Sequence, residues 1–418
     1  MYKMLFIFLF CSFACHKDTI VVPPVVNPPI NSKLNIVWQV PILSDTSENS
    51  TVVFGPVLGN PVYCLNYYEP SGAFIQVRDG LTGALKWKYD QWIQPLDGLL
   101  ANEMAIIKNK VIVNDWHRTY CLDGQSGALN WAIDVTQQNG NGEPHFSIFG
   151  DCIYKNNFEE SPPITIHASI VRSNYLNGHW DTLVNYQARD SFVLGFTPPS
   201  IWVNPQGDTV LIIRDNGARN YIYEPYKGAR NWSNIYAYNL HTKRYDWKLE
   251  DFQNNTIMYN PPIISNDRYY VATLLKVHCI DLKTGQTVWS KALSNSNLYS
   301  GFVQHKNWLI AQGTDHGIWA LDMDNGKIIW YNPQPLGLID KLFYYDGVVY
   351  FTSSGDGRLY AINAEDGSTI WAERSPNRLK KRTPNATFGQ SYVAIDPDKK
   401  VIYVSDNYYA MCIKMPEH

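Results

Sequence analysis

Side chains with the capacity for chemistry fall into three groups along this chain. The segment Asn216–Ser233 (NGARNYIYEPYKGARNWS) carries Arg219, Tyr221, Tyr223, Tyr226, Arg230 and Trp232. Arginine and large aromatic rings concentrate binding energy at protein interfaces, and the same rings can stack on a sugar or a planar cofactor. Such an insertion can equally fold over its own sheet. A second group, Arg374, Arg378, Lys380, Lys381 and Arg382, makes one loop locally basic. It suits a solvated loop, or an electrostatic contact with an acidic partner or lipid headgroups. The third, Asp322-Met323-Asp324-Asn325-Gly326, opens like a calcium loop but lacks the spacing and the terminal Glu that would complete coordination. It reads as a turn.

Catalytic constellations are otherwise missing. The sequence holds no HExxH, GxSxG or CxxCH motif and no phosphate-binding glycine loop. Its ten His residues show no paired metal spacing. Of seven Cys, Cys121, Cys279 and Cys412 occupy one repeated slot that Ala237, Ala320 and Ala361 fill elsewhere. Equivalent slots of different repeats lie beyond disulfide reach, so these three read as small buried apolar residues. Cys64 and Cys152 read the same way. A net charge of -3 with 17% charged residues argues against a nucleic-acid partner.

The elements that position these groups come from a repeated block. It runs Cys279–Trp289 (CIDLKTGQTVW) and recurs at Val77–Trp87, Cys121–Trp131, Ala237–Trp247, Ala320–Trp330 and Ala361–Trp371. Each copy has Asp or Asn at its third position and closes on Trp. All but one carry Gly four residues before the Trp, the exception being Lys243. The Asp or Asn can accept hydrogen bonds from a turn it opens, and the Gly supplies positive φ for a tight hairpin. The Trp then begins the next strand. One unit cannot bury such a ring alone, so units must stack.

These Trp-closed blocks resemble the repeats of the PQQ-like β-propeller family, over most of the chain from about Leu34. The resemblance implies an all-β fold of four-stranded antiparallel blades. Trp38, Trp87, Trp131, Trp247, Trp289, Trp330 and Trp371 are then the structural tryptophans. With Trp180, in a segment where the register fails, they predict eight blades; without it the count is seven. The first strand, Leu34–Val40, lacks a preceding turn, and the last, Ala410–Lys414, lacks a following Trp. The N-terminal strand is therefore expected to complete the C-terminal blade and close the ring.

Residues 1–14 read as a signal peptide, with Lys3 ahead of the apolar run Met4–Phe10. Ser12-Phe13-Ala14-Cys15 resembles a bacterial lipobox with Ser where Leu is usual, so Cys15 is the expected lipidation site. An ordinary secretory signal is the alternative. Residues 15–33 then form a Pro-rich tether, and residues 34–418 the propeller. The long predicted connections fall on one face, between second and third strands and between blades.

The cofactor-bearing dehydrogenases of the family typically carry an adjacent Cys pair, which this chain lacks. No cofactor is expected, PQQ included. The chain resembles instead the BamB-like lipoproteins of that family. The expectation is a monomeric, non-catalytic scaffold, lipid-anchored in the bacterial cell envelope, binding another envelope protein through its long-loop face. A quinone- or carbohydrate-binding propeller, acting as an enzyme at the channel mouth, is the alternative.

Overall fold

At each repeat the Asp or Asn folds the chain back on itself. Asp79 Oδ1 accepts hydrogen bonds from the amides of Leu81 and Thr82, both at 3.0 Å, and the Gly83 amide donates to the Asp79 carbonyl at 2.8 Å. Asp123, Asn239, Asp281 and Asp322 make the same pair of side-chain bonds. These amides hold the Asp79 carboxyl below its ordinary range and bring that of Asp123 down to about 2.

The computed structural model describes residues 34–42, 52–58, 62–68, 72–92, 104–114, 118–134, 141–142, 146–161, 165–187, 192–218, 231–253, 261–273, 276–293, 301–313, 317–334, 341–379, 385–389, 393–406 and 408–415. Their strands form a cycle of antiparallel sheets. Blade 1 comprises Val52–Leu58, Val62–Tyr68, Gly72–Arg78 and Leu85–Tyr89. Blade 2 comprises Met104–Ile107, Lys110–Asn114, Arg118–Asp123 and Leu129–Asp134. A five-stranded sheet follows: Asn141–Gly142, Ser147–Phe149, Cys152–Ser161, Thr165–Asn174 and Trp180–Gln187. Blade 3 is Phe192–Val203, Thr209–Ala218, Asn231–Asn239 and Arg244–Gln253. Blade 4 is Ile263–Ser265, Arg268–Ala272, Lys276–Asp281 and Thr287–Ala292. Blade 5 is Val303–His305, Trp308–Gln312, Ile318–Asp322 and Ile328–Asn332, and blade 6 is Phe343–Tyr345, Val348–Ser353, Arg358–Asn363 and Thr369–Arg374. Blade 7 takes Ala394–Asp396, Val401–Ser405 and Tyr409–Lys414 from the end of the chain and Ile36–Pro41 from its start. In it Trp38 pairs with Cys412 and Val40 with Ala410.

The expectation of eight four-stranded blades is therefore corrected to seven. The segment around Trp180 breaks the pattern: its sheet has five strands, with both Asn141–Gly142 and Ser147–Phe149 pairing on Cys152–Ser161. Trp180 is no repeat tryptophan. In regular blades a bulge follows the turn and sets the small residue opposite the Trp, as in Cys279 opposite Trp289. Here that bulge is displaced to Ile170/Val171, so Arg172 stands opposite Asp181, and the two form an ion pair at 2.7 Å.

Buried clusters join each sheet to the next, and the tryptophans wedge the seams. Trp38 Nε1 donates to the Gly80 carbonyl of blade 1 at 3.0 Å, and Trp330 Nε1 to the Ala364 carbonyl of blade 6 at 3.0 Å. Trp87, Trp131, Trp247 and Trp289 do likewise to the next sheet. Each ring lies flat on the turn glycine of that sheet. A Cβ on Gly285, where φ is +71°, would stand 2.6 Å from the Trp247 ring. The seam between the five-stranded sheet and blade 3 has no such wedge. The turn it would have met carries Lys243 at φ +55°, and the side chain is tolerated because no ring presses there. Tyr238 and Tyr245 of blade 3, edge-on at 5.1 Å, join Tyr154, Ile170 and Val184 in the cluster that fills this seam.

Candidate functional site

Strand length singles out one sector of the ring. The second and third strands of blades 4 to 6 run five or six residues. Their counterparts in the five-stranded sheet run ten each, and those of blade 3 ten and nine. All start or finish level with the others at the hairpin turns, where Cys152 pairs with Asn174 and Val210 with Asn239. The surplus therefore projects from the opposite, long-loop face. At about 3.3 Å per residue it amounts to roughly 15 Å, a wall two sheets thick.

The segment Asn216–Ser233 connects the second and third strands of blade 3. Ala218 pairs with Asn231 at its described limit in blade 3, and the residues joining them include Arg219, Tyr221, Tyr223, Tyr226 and Arg230, which lie outside the described residues. Trp232 stands opposite Gly217 in the wall, its side chain likewise outside what is described. Most other long connections also fall outside.

Sequence reasoning missed a set of polar groups buried at the foot of the wall. Asn156 is fully buried, donates Nδ2 to the Thr197 carbonyl at 2.6 Å, and leaves Oδ1 without a partner. Asp215 is 6% exposed and accepts from Asn234 Nδ2 at 3.3 Å, while its Oδ1 has no partner. Burial raises its carboxyl above the ordinary range. Asp215 shares a strand face with Leu211 and Ile213, which belong to the unwedged seam. Across the sheet, Lys155 Nζ reaches Asn114 Oδ1 at 2.9 Å and Thr119 Oγ1 at 3.2 Å in blade 2. The available signal was the polar pair Arg214-Asp215 interrupting the apolar strand Val210–Ile213.

The basic group sits elsewhere. Arg374 and Arg378 are exposed on the connection from blade 6 to blade 7, across the ring from the wall in sheet order. The 3-10 turn Pro376–Leu379 is pinned by Asp406, which accepts from Ser375 Oγ and from Asn377 Nδ2 at 2.8 Å. Lys380, Lys381 and Arg382 lie outside the described residues, as does Cys15. Arg374 and Arg378, the described part of the basic run, thus belong to a different sector from blade 3.

Groups that resemble catalytic machinery are structural on inspection. Asp322–Gly326 is a repeat turn, its glycine beneath Trp289. His278 bonds Ser290 Oγ through Nδ1 at 2.7 Å and Thr273 Oγ1 through Nε2 at 3.2 Å, yet it is wholly buried. Burial brings its pKa down to about 4. Cys121, Cys279 and Cys412 are free and buried in separate blades, with burial pushing their thiols up to about 11, 11 and 12. Among the described residues no three His, Cys, Asp or Glu side chains gather into a metal cluster. This donor set does not fit a quinone centre with an adjacent Cys pair and a calcium ion.

Comparison with known proteins agrees with the repeat. Residues 275–407 match the family model described as outer membrane protein assembly factor BamB. Tetrathionate hydrolase of Acidithiobacillus ferrooxidans is 30% identical over 139 residues, which is 32% of this chain and 24% of that protein. The chain thus spans about a quarter of the curated relative it matches. Among solved structures, BamB from Moraxella catarrhalis superposes with a TM-score of 0.56 at 15% identity, covering 92% of this chain and 100% of that one. Quinohemoprotein alcohol dehydrogenase from Comamonas testosteroni gives 0.61 at 14% identity, covering 92% and 78%. At such identities the likeness is one of fold, that of a β-propeller.

Proposed function

We propose that this PQQ-like β-propeller is a non-catalytic scaffold of the bacterial cell envelope, lipid-anchored at Cys15, which binds another envelope protein through the wall on its long-loop face. The wall carries the reading. It enlarges one sector of an otherwise regular ring, and its joining segment holds Arg219, Tyr221, Tyr223, Tyr226, Arg230 and Trp232. Those residue types supply interface anchors. A projecting sheet edge also offers backbone groups for strand addition.

Crosslinking in native membranes followed by mass spectrometry tests this, with a variant lacking residues 219–230 as control. One envelope protein is expected with the parent chain and not with the variant. Equal recovery from both, or recovery of no protein, overturns the reading.

One observation favours a second reading, a quinone- or carbohydrate-binding propeller with activity at the channel mouth. The partnerless oxygens of Asp215 and Asn156 would suit a small molecule presenting hydrogen-bond donors. A small molecule retained on the purified chain and lost in Asp215→Ala would support it.

A further inference from the structure

We propose that the hairpin face rests on a lipid surface along an arc of blades 7, 1 and 2 and the five-stranded sheet. This deepens the lipid-anchor reading and rests on it. Five exposed apolar residues mark the arc: Val37 at 45% exposure, Leu81 at 62%, Leu85 at 52%, Leu129 at 43% and Leu176 at 59%.

The positions are equivalent by repeat, which makes the asymmetry legible. Leu81 and Leu176 stand two residues after the turn-opening Asp79 and Asn174; blades 4, 5 and 6 place Lys283, Asp324 and Glu365 there. Leu85 and Leu129 open the outer strands of blades 1 and 2, where blades 4 and 6 have Thr287 and Thr369 and blade 5 has Ile328, half-buried. Leucine tips thus gather on one side of this face, although Gln125 takes the Leu81 position in blade 2 and Val203 and Val288 are exposed on blades 3 and 4. A concentration of exposed apolar side chains of this kind suits a contact surface.

The point of chain entry argues for lipid as the occupant. The chain enters the propeller on this face: the Lys414 amide donates to the Asn35 carbonyl at 2.9 Å, where the other blades have their third-to-fourth hairpin. The segment that carries Cys15 thus joins the domain beside the arc. Three lysines of the arc are paired, Lys86 with Asp79 at 3.5 Å, Lys108 with Asp151 at 2.5 Å and Lys110 with Asp123 at 3.0 Å, while Lys400 and Lys414 of blade 7 stand exposed. The contact proposed is apolar insertion at the headgroup boundary.

The test uses the full chain on neutral phosphatidylcholine vesicles containing a nitroxide-labelled lipid. A fluorophore is attached at Lys108→Cys on the hairpin face or at Arg378→Cys on the long-loop face. Quenching is expected to be at least threefold stronger at 108 than at 378 and unchanged at high salt. It should fall to the level of 378 when Leu81, Leu85, Leu129 and Leu176 are all replaced by Asp, with an unaltered melting curve. Equal quenching at both sites, or quenching at 108 that survives the four substitutions or disappears in salt, overturns the proposal. A protein partner covering the arc would give that first result. Quenching reports rim contact whether or not Cys15 carries lipid, and co-sedimentation of Cys15→Ser reads the anchor separately.

Discussion

The turn glycine and the tryptophan of the preceding sheet are a single device. The glycine is required twice over, by a positive φ and by the ring lying where a Cβ would be. Gly285→Ala should therefore destabilise the protein by about 2–3 kcal/mol, combining left-handed strain with a forced shift of Trp247. Lys243→Gly, in the turn without a ring, should change stability by less than about 1 kcal/mol. Denaturant unfolding of the two variants checks the contrast, and equal losses would show that the wedge is not what makes the glycine necessary. Sequence marked Lys243 as the exception, but its cause lies in another sheet, where Asp181 stands opposite Arg172 and no tryptophan is offered. His278 gives a second test. Its folded pKa of about 4 lies below its ordinary 6.5, so the folded state binds fewer protons. The stability this contributes is complete above pH 6.5 and is lost as pH falls through that value toward 4. Melting curves should drop across that window in the parent and more shallowly in His278→Gln. Parallel curves would show that His278 is not the group responsible.

At the scale of elements, the regular blades were legible because each is a local hairpin repeated with its own punctuation. Asp, Gly and Trp fall at fixed intervals, and the register follows from them. The expectation of eight like blades failed where that punctuation changes. Gly178 still lies under Trp131, with φ +69° and a would-be Cβ 2.9 Å from the ring, but the strand that follows pairs differently. The wall was legible only in part. A long insertion with Tyr, Trp and Arg could be read, whereas the doubling of strands on either side of it could not. A strand that continues past its neighbours has the same alternation as one that stops. The polar groups at its foot escaped notice for a related reason: Asn156 and Asp215 acquire meaning only when two sheets face each other. Closure of blade 7 supplies the prediction for this scale. Deleting residues 34–41 removes an outer strand and the Trp38 wedge. The tryptophan alone is worth at least about 3 kcal/mol, so the melting temperature should fall sharply, and an unchanged value would show that the ring does not depend on that strand.

For the whole molecule, the two faces of the ring divide the work proposed for it. The chain enters on the hairpin face, and the wall rises from the other. Replacing Cys15 by Ser should move the protein from the membrane fraction to the soluble one; retention would mean that something other than a lipid on that residue holds it. None of this division could be read from composition, since a net charge of -3 says nothing of which face carries it. The pairing of Ile36 with Ile413 has a temporal consequence as well. Synthesis delivers the outer strand of blade 7 first and its three companions last. For nearly the whole time the chain is being made, Trp38 has neither its own sheet nor a finished seam to occupy. The entropic penalty of so long a loop is moderate, growing by only about 0.6 kcal/mol per doubling of length, but the wait is unavoidable. A chain cut short anywhere before Tyr409 keeps its first strand unpaired and its ring open, so the last strand of the ring is checked by its first.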